Sequence, residues 1–136
     1  MKKSIIIMGL GIILLLIAGC GNQNNNITQP STSQSSVNKD NTVKITLSGF
    51  NPSTLSINSG ETVTWINKGS SQAWPASAIH PSHEVYPESG GCIGSKFDAC
   101  KGLKQGESYS FTFNQKGTWR YHDHLNPSSI GTIIVQ

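Results

Sequence analysis

All four histidines of this 136-residue chain fall into two close pairs, His80-Pro81-Ser82-His83 and His122-Asp123-His124. Neutral imidazole is a good ligand for copper, zinc or nickel. Residues i and i+2 of a strand project to the same side, so a strand ending near residue 124 turns His122 and His124 toward one ion. A loop H-x-x-H supplies two further donors from the opposite side. The candidate metal ligands are therefore His80, His83, His122 and His124. Asp123 and Glu84 stand beside them as extra oxygen ligands, or as acceptors that orient imidazole N–H groups. The plainer alternative is that His122, opposite the Trp119/Tyr121 face, points outward and that the loop histidines cap turns.

The cysteines carry different chemistry. Lys2 and Lys3 precede an apolar run from Ile5 to Ile17, which is too short for a comfortable membrane span of roughly 20 residues. The run ends in Ala18-Gly19-Cys20, small residues before a cysteine, the pattern of a bacterial lipoprotein signal; a plain signal peptide or short anchor is the alternative. Lipidation of Cys20 places the protein outside the cytoplasm on the cell membrane. Exported thiols oxidise, so Cys92 and Cys100 are expected to form a loop disulfide. Seven residues separate them, unlike a C-x-x-C metal or redox motif. Such a short closed loop adds about 2–3 kcal/mol in the chain-entropy picture.

Without Lys2 and Lys3, eight of the ten basic residues remain against seven acidic ones, a near-neutral balance. No basic stripe is present, which excludes nucleic acid as an expected partner. The expected partners are the membrane, through the lipid, and a metal ion; the sequence names no protein partner.

Three segments follow: the lipoprotein signal over 1–20, a tether over 21–41 and a folded domain over 42–136. The tether, GNQNNNITQPSTSQSSVNKDN, is almost purely polar and cannot bury enough apolar surface to fold. The domain alternates with period 2: Val43, Ile45 and Leu47; Leu55 and Ile57; Val63 and Trp65; Tyr109, Phe111 and Phe113; Trp119 and Tyr121; then Ile130 to Val135. With Gly, Pro and Asn breaks at short spacing, this implies an all-β sandwich or barrel. Gly60, Gly117 and Gly131 mark turns or sheet bends. Residues 68–106 break the pattern, with Pro75, Pro81, Pro87, six glycines and both remaining cysteines. A long irregular loop in a compact domain usually serves function. Trp74 within it either packs under the loop or covers the site. Ser108 and Ser110 belong to ordinary strand alternation, and no Ser/His/Asp arrangement points to an enzyme.

GFNPSTLSINSGETVTWIN (49–67) and GTWRYHDHLNPSSIGTIIV (117–135) resemble the opening and closing patterns of the cupredoxin family, small Greek-key copper proteins. The resemblance covers most of residues 43–136 and implies a Greek-key β-sandwich. The family's type 1 copper site implies a histidine upstream and Cys, His and Met on the last loop. Here those places hold Ala73, Asp123, Asn126 and Ser129, although Tyr121, His122 and Gly131 match the loop's frame. H-P-x-H and Y-H-x-H also resemble the histidine pairs of multicopper oxidases, which are built from related domains. The fold implied by the resemblance brings the two histidine regions to one end.

The expectation is thus a lipid-tethered protein that binds copper, or another divalent metal, through a histidine cluster and serves metal binding or delivery. One alternative is a one-electron copper carrier, against which the missing thiolate speaks. Another is a metal-free interaction module that keeps only the fold. Four histidines and no thiolate copper are too few for an oxidase.

Overall fold

A computed structural model describes residues 39–136. The lipoprotein signal, Cys20 and the expected tether as far as residue 38 lie outside the described residues. The strands are β1 (Thr42–Thr46), β2 (Gly49–Asn51), β3 (Thr54–Ile57), β4 (Thr62–Asn67), β5 (Pro75–Ser77), β6 (Ser108–Thr112), β7 (Gly117–Asp123) and β8 (Asn126–Val135). They form two four-stranded sheets, in the orders β2-β1-β4-β6 and β3-β8-β7-β5. β1 pairs with β4, and β3 with β8, in parallel; the other pairings are antiparallel. The fold is the all-β sandwich that the alternation implied.

Each sheet gives its alternate residues to a shared core. In β4, Val63 and Trp65 point inward, while the outward hydroxyls of Thr62 and Thr64 meet Thr112 and Ser110 across the pair at 2.7 and 2.8 Å. Trp65 lies at the centre, with ring centroids 5.1 Å from Phe97, 5.7 Å from Tyr109 and 5.4 Å from Tyr121. Phe113 and Tyr121 are fully buried, whereas Phe111 and Trp119 pack at the core's edge. Gly131 faces Tyr121 across the β7–β8 pair. A Cβ on Gly131 would lie 2.2 Å from Tyr121 Cζ, so this glycine is required by a ring and not only by a bend.

Two expectations need correction. Leu47 does not share the inner face with Val43 and Ile45: β1 ends at Thr46, and Leu47 sits in the turn to β2, 82% exposed. The segment 68–106 is also more than an irregular loop. It supplies β5, and its Ala73, Tyr86, Phe97 and Leu103 are buried in the core. β5 begins with a proline and lies at the edge of its sheet beside β7, where a missing backbone donor is tolerated; its other side meets the loop, the Ser77 N–H donating to the Phe97 carbonyl at 2.8 Å. Asn67 ties both ends of the excursion. Its Nδ2 donates to the carbonyls of Ser71 and Leu103, each at 2.8 Å, and its Oδ1 accepts the Gly69 N–H at 2.9 Å.

Candidate metal centre

His122 lies on β7, between Ala76 of β5 and Ile130 of β8. Tyr121 turns into the core, so His122 projects from the opposite face. It is nevertheless only 3% exposed. The rings of His80 and His83 lie against it at 5.4 and 5.0 Å, so His122 points away from the core, as the plainer alternative had it, but is buried rather than exposed. A β-bulge falls between His122 and Asp123, and the chain then turns so that the His124 N–H donates to the Trp74 carbonyl at 2.8 Å.

His83 is placed by its own turn, its N–H donating to the Ile79 carbonyl at 2.8 Å. Its φ of 56° lies in the left-handed region, where a non-glycine residue is uncommon and strain tends to mark functional positions. A second loop segment locks it from outside: the Ser95 N–H donates to the His83 carbonyl at 2.8 Å. Gly94 approaches so closely that a Cβ there would lie 2.2 Å from the Ser82 carbonyl oxygen.

The four imidazoles converge. One ring nitrogen from each of His80, His83, His122 and His124 lies within 4.8 Å of the others. Ring centroids are 4.8 Å apart for His80–His124, 4.9 Å for His83–His124, 5.0 Å for His83–His122 and 5.4 Å for His80–His122. The His122 and His124 centroids are 6.3 Å apart. With metal–nitrogen bonds of about 2 Å, rings around one ion would have centroids roughly 4.5–6.5 Å apart, and these separations fall in that span. Both ring nitrogens of His122 are buried without a hydrogen-bond partner. Buried polar atoms are normally satisfied, so an ion between the rings would answer an otherwise unexplained deficit. The donor set fits a metal bound by imidazole and does not fit a thiolate copper centre.

The carboxylates sort differently from expectation. Asp123 accepts the backbone N–H groups of Trp74 at 2.8 Å and Leu125 at 3.0 Å, bracing the bulge rather than orienting an imidazole. Glu84 is exposed and stands outside the cluster. The carboxylate that reaches a ring is Asp98, which the sequence did not single out. Its Oδ2 is 2.7 Å from His83 Nδ1, while its Oδ1 accepts Trp74 Nε1–H at 2.6 Å and the Cys100 N–H at 2.8 Å. With Nδ1–H donating to Asp98, His83 turns Nε2 to the cluster, 2.9 Å from His124 Nδ1. Trp74 covers the site, its ring tilted over His124 at 4.5 Å. The expected Cys92–Cys100 disulfide is formed, with a Cα separation of 5.6 Å.

Burial, reinforced by the neighbouring imidazoles, pushes the His122 pKa down to about 4. His124 is lowered for the same reasons. These two rings therefore offer lone pairs rather than protons at neutral pH, the state a metal requires.

Residues 11–135 match the family model described as a cupredoxin-like domain. The chain is 36% identical over 84 residues to amicyanin of Paracoccus denitrificans, covering 60% of this chain and 54% of amicyanin's length. It is 35% identical over 89 residues to a plastocyanin of Scenedesmus fuscus, covering 64% of this chain and 86% of that protein. Among solved structures, a purple cupredoxin from Nitrosopumilus maritimus superposes with a TM-score of 0.57 at 20% identity, over 70% of this chain and 98% of that one. A Cu(I) form of a methionine-to-alanine variant of amicyanin superposes with a TM-score of 0.54 at 25% identity, over 70% of this chain and 80% of that one. With two-sheet topology, core and sequence in agreement, the chain belongs to the cupredoxin-like family.

Proposed function

We propose that this protein binds one copper ion through His80, His83, His122 and His124. The observation that carries this reading is the His122 imidazole, buried and unpartnered inside a ring of three others. A relative's solved structure is named as a Cu(I) form, and four imidazole donors are a ligand set that suits copper. When bound, the ion would supply a centre able to gain and lose one electron. The chain's part is to hold it: Asp98 fixes the His83 tautomer, burial keeps His122 unprotonated, and the Trp74 ring packs against His124.

We read the physiological role as copper binding or delivery at the outer side of the cell membrane, with a lipid on Cys20 as the anchor. Lys2, Lys3 and the Ala18-Gly19-Cys20 sequence support that placement. Elemental analysis of exported, untagged protein tests the metal, with about one copper per chain expected and a metal-free protein as the refuting result. Mass spectrometry of the mature N-terminus tests the anchor, an unmodified Cys20 refuting it.

One-electron transfer is the second reading, favoured by the likeness to amicyanin and plastocyanin. Absorption on Cu(II) loading separates the two. A weak d–d band fits a plain imidazole site, and an intense blue or red charge-transfer band would favour the carrier.

A further inference from the structure

The four imidazoles of the cluster are held unequally. His83 and His122 are buried, His124 is half-buried and His80 is exposed. Hydrogen bonds follow the same order. The His83 ring is bound on both sides, to Asp98 at 2.7 Å and to His124 at 2.9 Å. His124 shares the second of those bonds, its backbone N–H donates to the Trp74 carbonyl, and the Trp74 ring packs against it. His122 sits within β7, paired across to Ala76 and Ile130. Among the described residues, His80 makes no hydrogen bond through its ring or its backbone.

The turn that carries His80 is nevertheless anchored. The His83 N–H donates to the Ile79 carbonyl at 2.8 Å, and the Val85 N–H donates to the Ala78 carbonyl at 2.6 Å. The backbone is tied on either side while the ring rests on the cluster from outside, its centroid 4.8 Å from His124 and 5.4 Å from His122. Turning this ring away breaks no hydrogen bond, and exposed side chains change rotamer within nanoseconds. Turning His83 away breaks a buried bond to a carboxylate, and His122 has no free space to turn into short of local opening. A closed ring of ligands needs an entry path, and His80 is the member that can open one.

We propose that His80 is the exchanging ligand of the cluster. His83, His122 and His124 form a fixed base of three imidazoles, and His80 turns aside to let copper enter and leave. With His80 turned out, the fourth place faces solvent and accepts an imidazole from outside, carried by the molecule that supplies or receives the ion. No electron moves in this exchange: the nitrogen lone pair of His80 withdraws as that of the incoming imidazole arrives. The inference rests on the four-histidine copper reading and adds to it which ligand lets go.

The test has a metal-free arm and a copper arm, both on full-length protein. Diethyl pyrocarbonate acylates unprotonated imidazole, and mass spectrometry maps the sites. In chelator-treated wild type, His80 should react at least about tenfold faster than His83 or His122, whose burial demands local opening first. In the copper arm, His80→Ala should keep about one copper per chain, since three imidazoles remain, and keep the wild-type circular dichroism spectrum. It should pass copper to a competing chelator at least about tenfold faster than the wild type. Added imidazole should fill the vacated place, moving the d–d band back to its wild-type position. Loss of copper from His80→Ala, transfer at the wild-type rate, a band indifferent to imidazole, or His83 or His122 reacting as fast as His80 would each overturn the proposal while the copper reading stands. A wild type that takes up no copper would overturn both.

Discussion

Asp98 Oδ2 and His83 Nδ1 meet at 2.7 Å, with both side chains wholly buried. The pairing commits His83 to presenting Nε2 at the cluster. Asp98 is itself held by the Trp74 indole and the Cys100 amide, so the ring's orientation is set from two directions. Partners of this kind typically matter by 10–100-fold in metal affinity. Asp98→Asn, which keeps the shape and removes the charge, should weaken Cu(II) binding by roughly that factor. A competition titration against a chelator of known affinity measures it, and unchanged affinity would show that His83 is oriented by packing alone.

Removing the two β7-side donors together is a harsher change. The His122→Ala, His124→Ala variant of the full-length protein should lose tight Cu(II) binding. Unchanged stoichiometry by calorimetry would sink the four-histidine assignment.

The Cys92–Cys100 bridge reaches the same ring by a short route, since the Cys100 N–H donates to Asp98, which holds His83. Replacing both cysteines by serine should cost about 2–3 kcal/mol of stability and weaken Cu(II) binding as well. Urea denaturation and copper competition on one preparation read both effects. Lost stability with full affinity would mean that the bridge supports the loop but not the site.

Phe97 joins the loop to the core. It is fully buried, with ring centroids 5.1 Å from Trp65 and 5.0 Å from Phe113. Phe97→Ala should destabilise the protein by about 3–5 kcal/mol, read as a lower urea midpoint. A change near zero would mean that the loop can re-close over the gap.

Acid should weaken the metal-free protein through His122. Its folded pKa, about 4, lies below the ordinary 6.5. Between those values the unfolded chain takes up a proton that the folded chain refuses, so stability rises with pH across the window. The contribution is complete above pH 6.5 and is lost as the pH falls toward 4. Urea midpoints at pH 7.5 and 4.5 should therefore differ, and the difference should shrink in His122→Asn. An equal difference in that variant would assign the acid sensitivity to other groups.

Where alternation was strong, the strands could be read directly: Val63 and Trp65 announced β4, and Trp119 and Tyr121 announced β7. β5 was hidden because Pro75, Ala76 and Ser77 are buried throughout, leaving no period to detect. Phe97 and Tyr86 sit among prolines and glycines with no repeating neighbours, so nothing local marked them as core. At the site, the spacing of the histidines was informative because a strand and a single turn fix where such pairs point. Asp98 was not legible, since its link to His83 spans fifteen residues and follows no pattern. Asp123 misled through adjacency alone: the bulge beside it re-aims the chain, and its carboxylate meets the Trp74 amide.

Asn67 holds both feet of the long excursion with one side chain, bonding to Ser71 and Leu103. The excursion therefore leaves the sandwich and rejoins it at nearly the same point, much like a cassette plugged into a socket. Because the cost of closing a longer loop grows only slowly with its length, the cassette can be lengthened, shortened or exchanged provided that β5 and the core residues Ala73, Tyr86, Phe97 and Leu103 are kept. Half of the histidine cluster travels with it. A change of metal preference could thus be made by replacing one plug-in segment against the fixed His122 and His124.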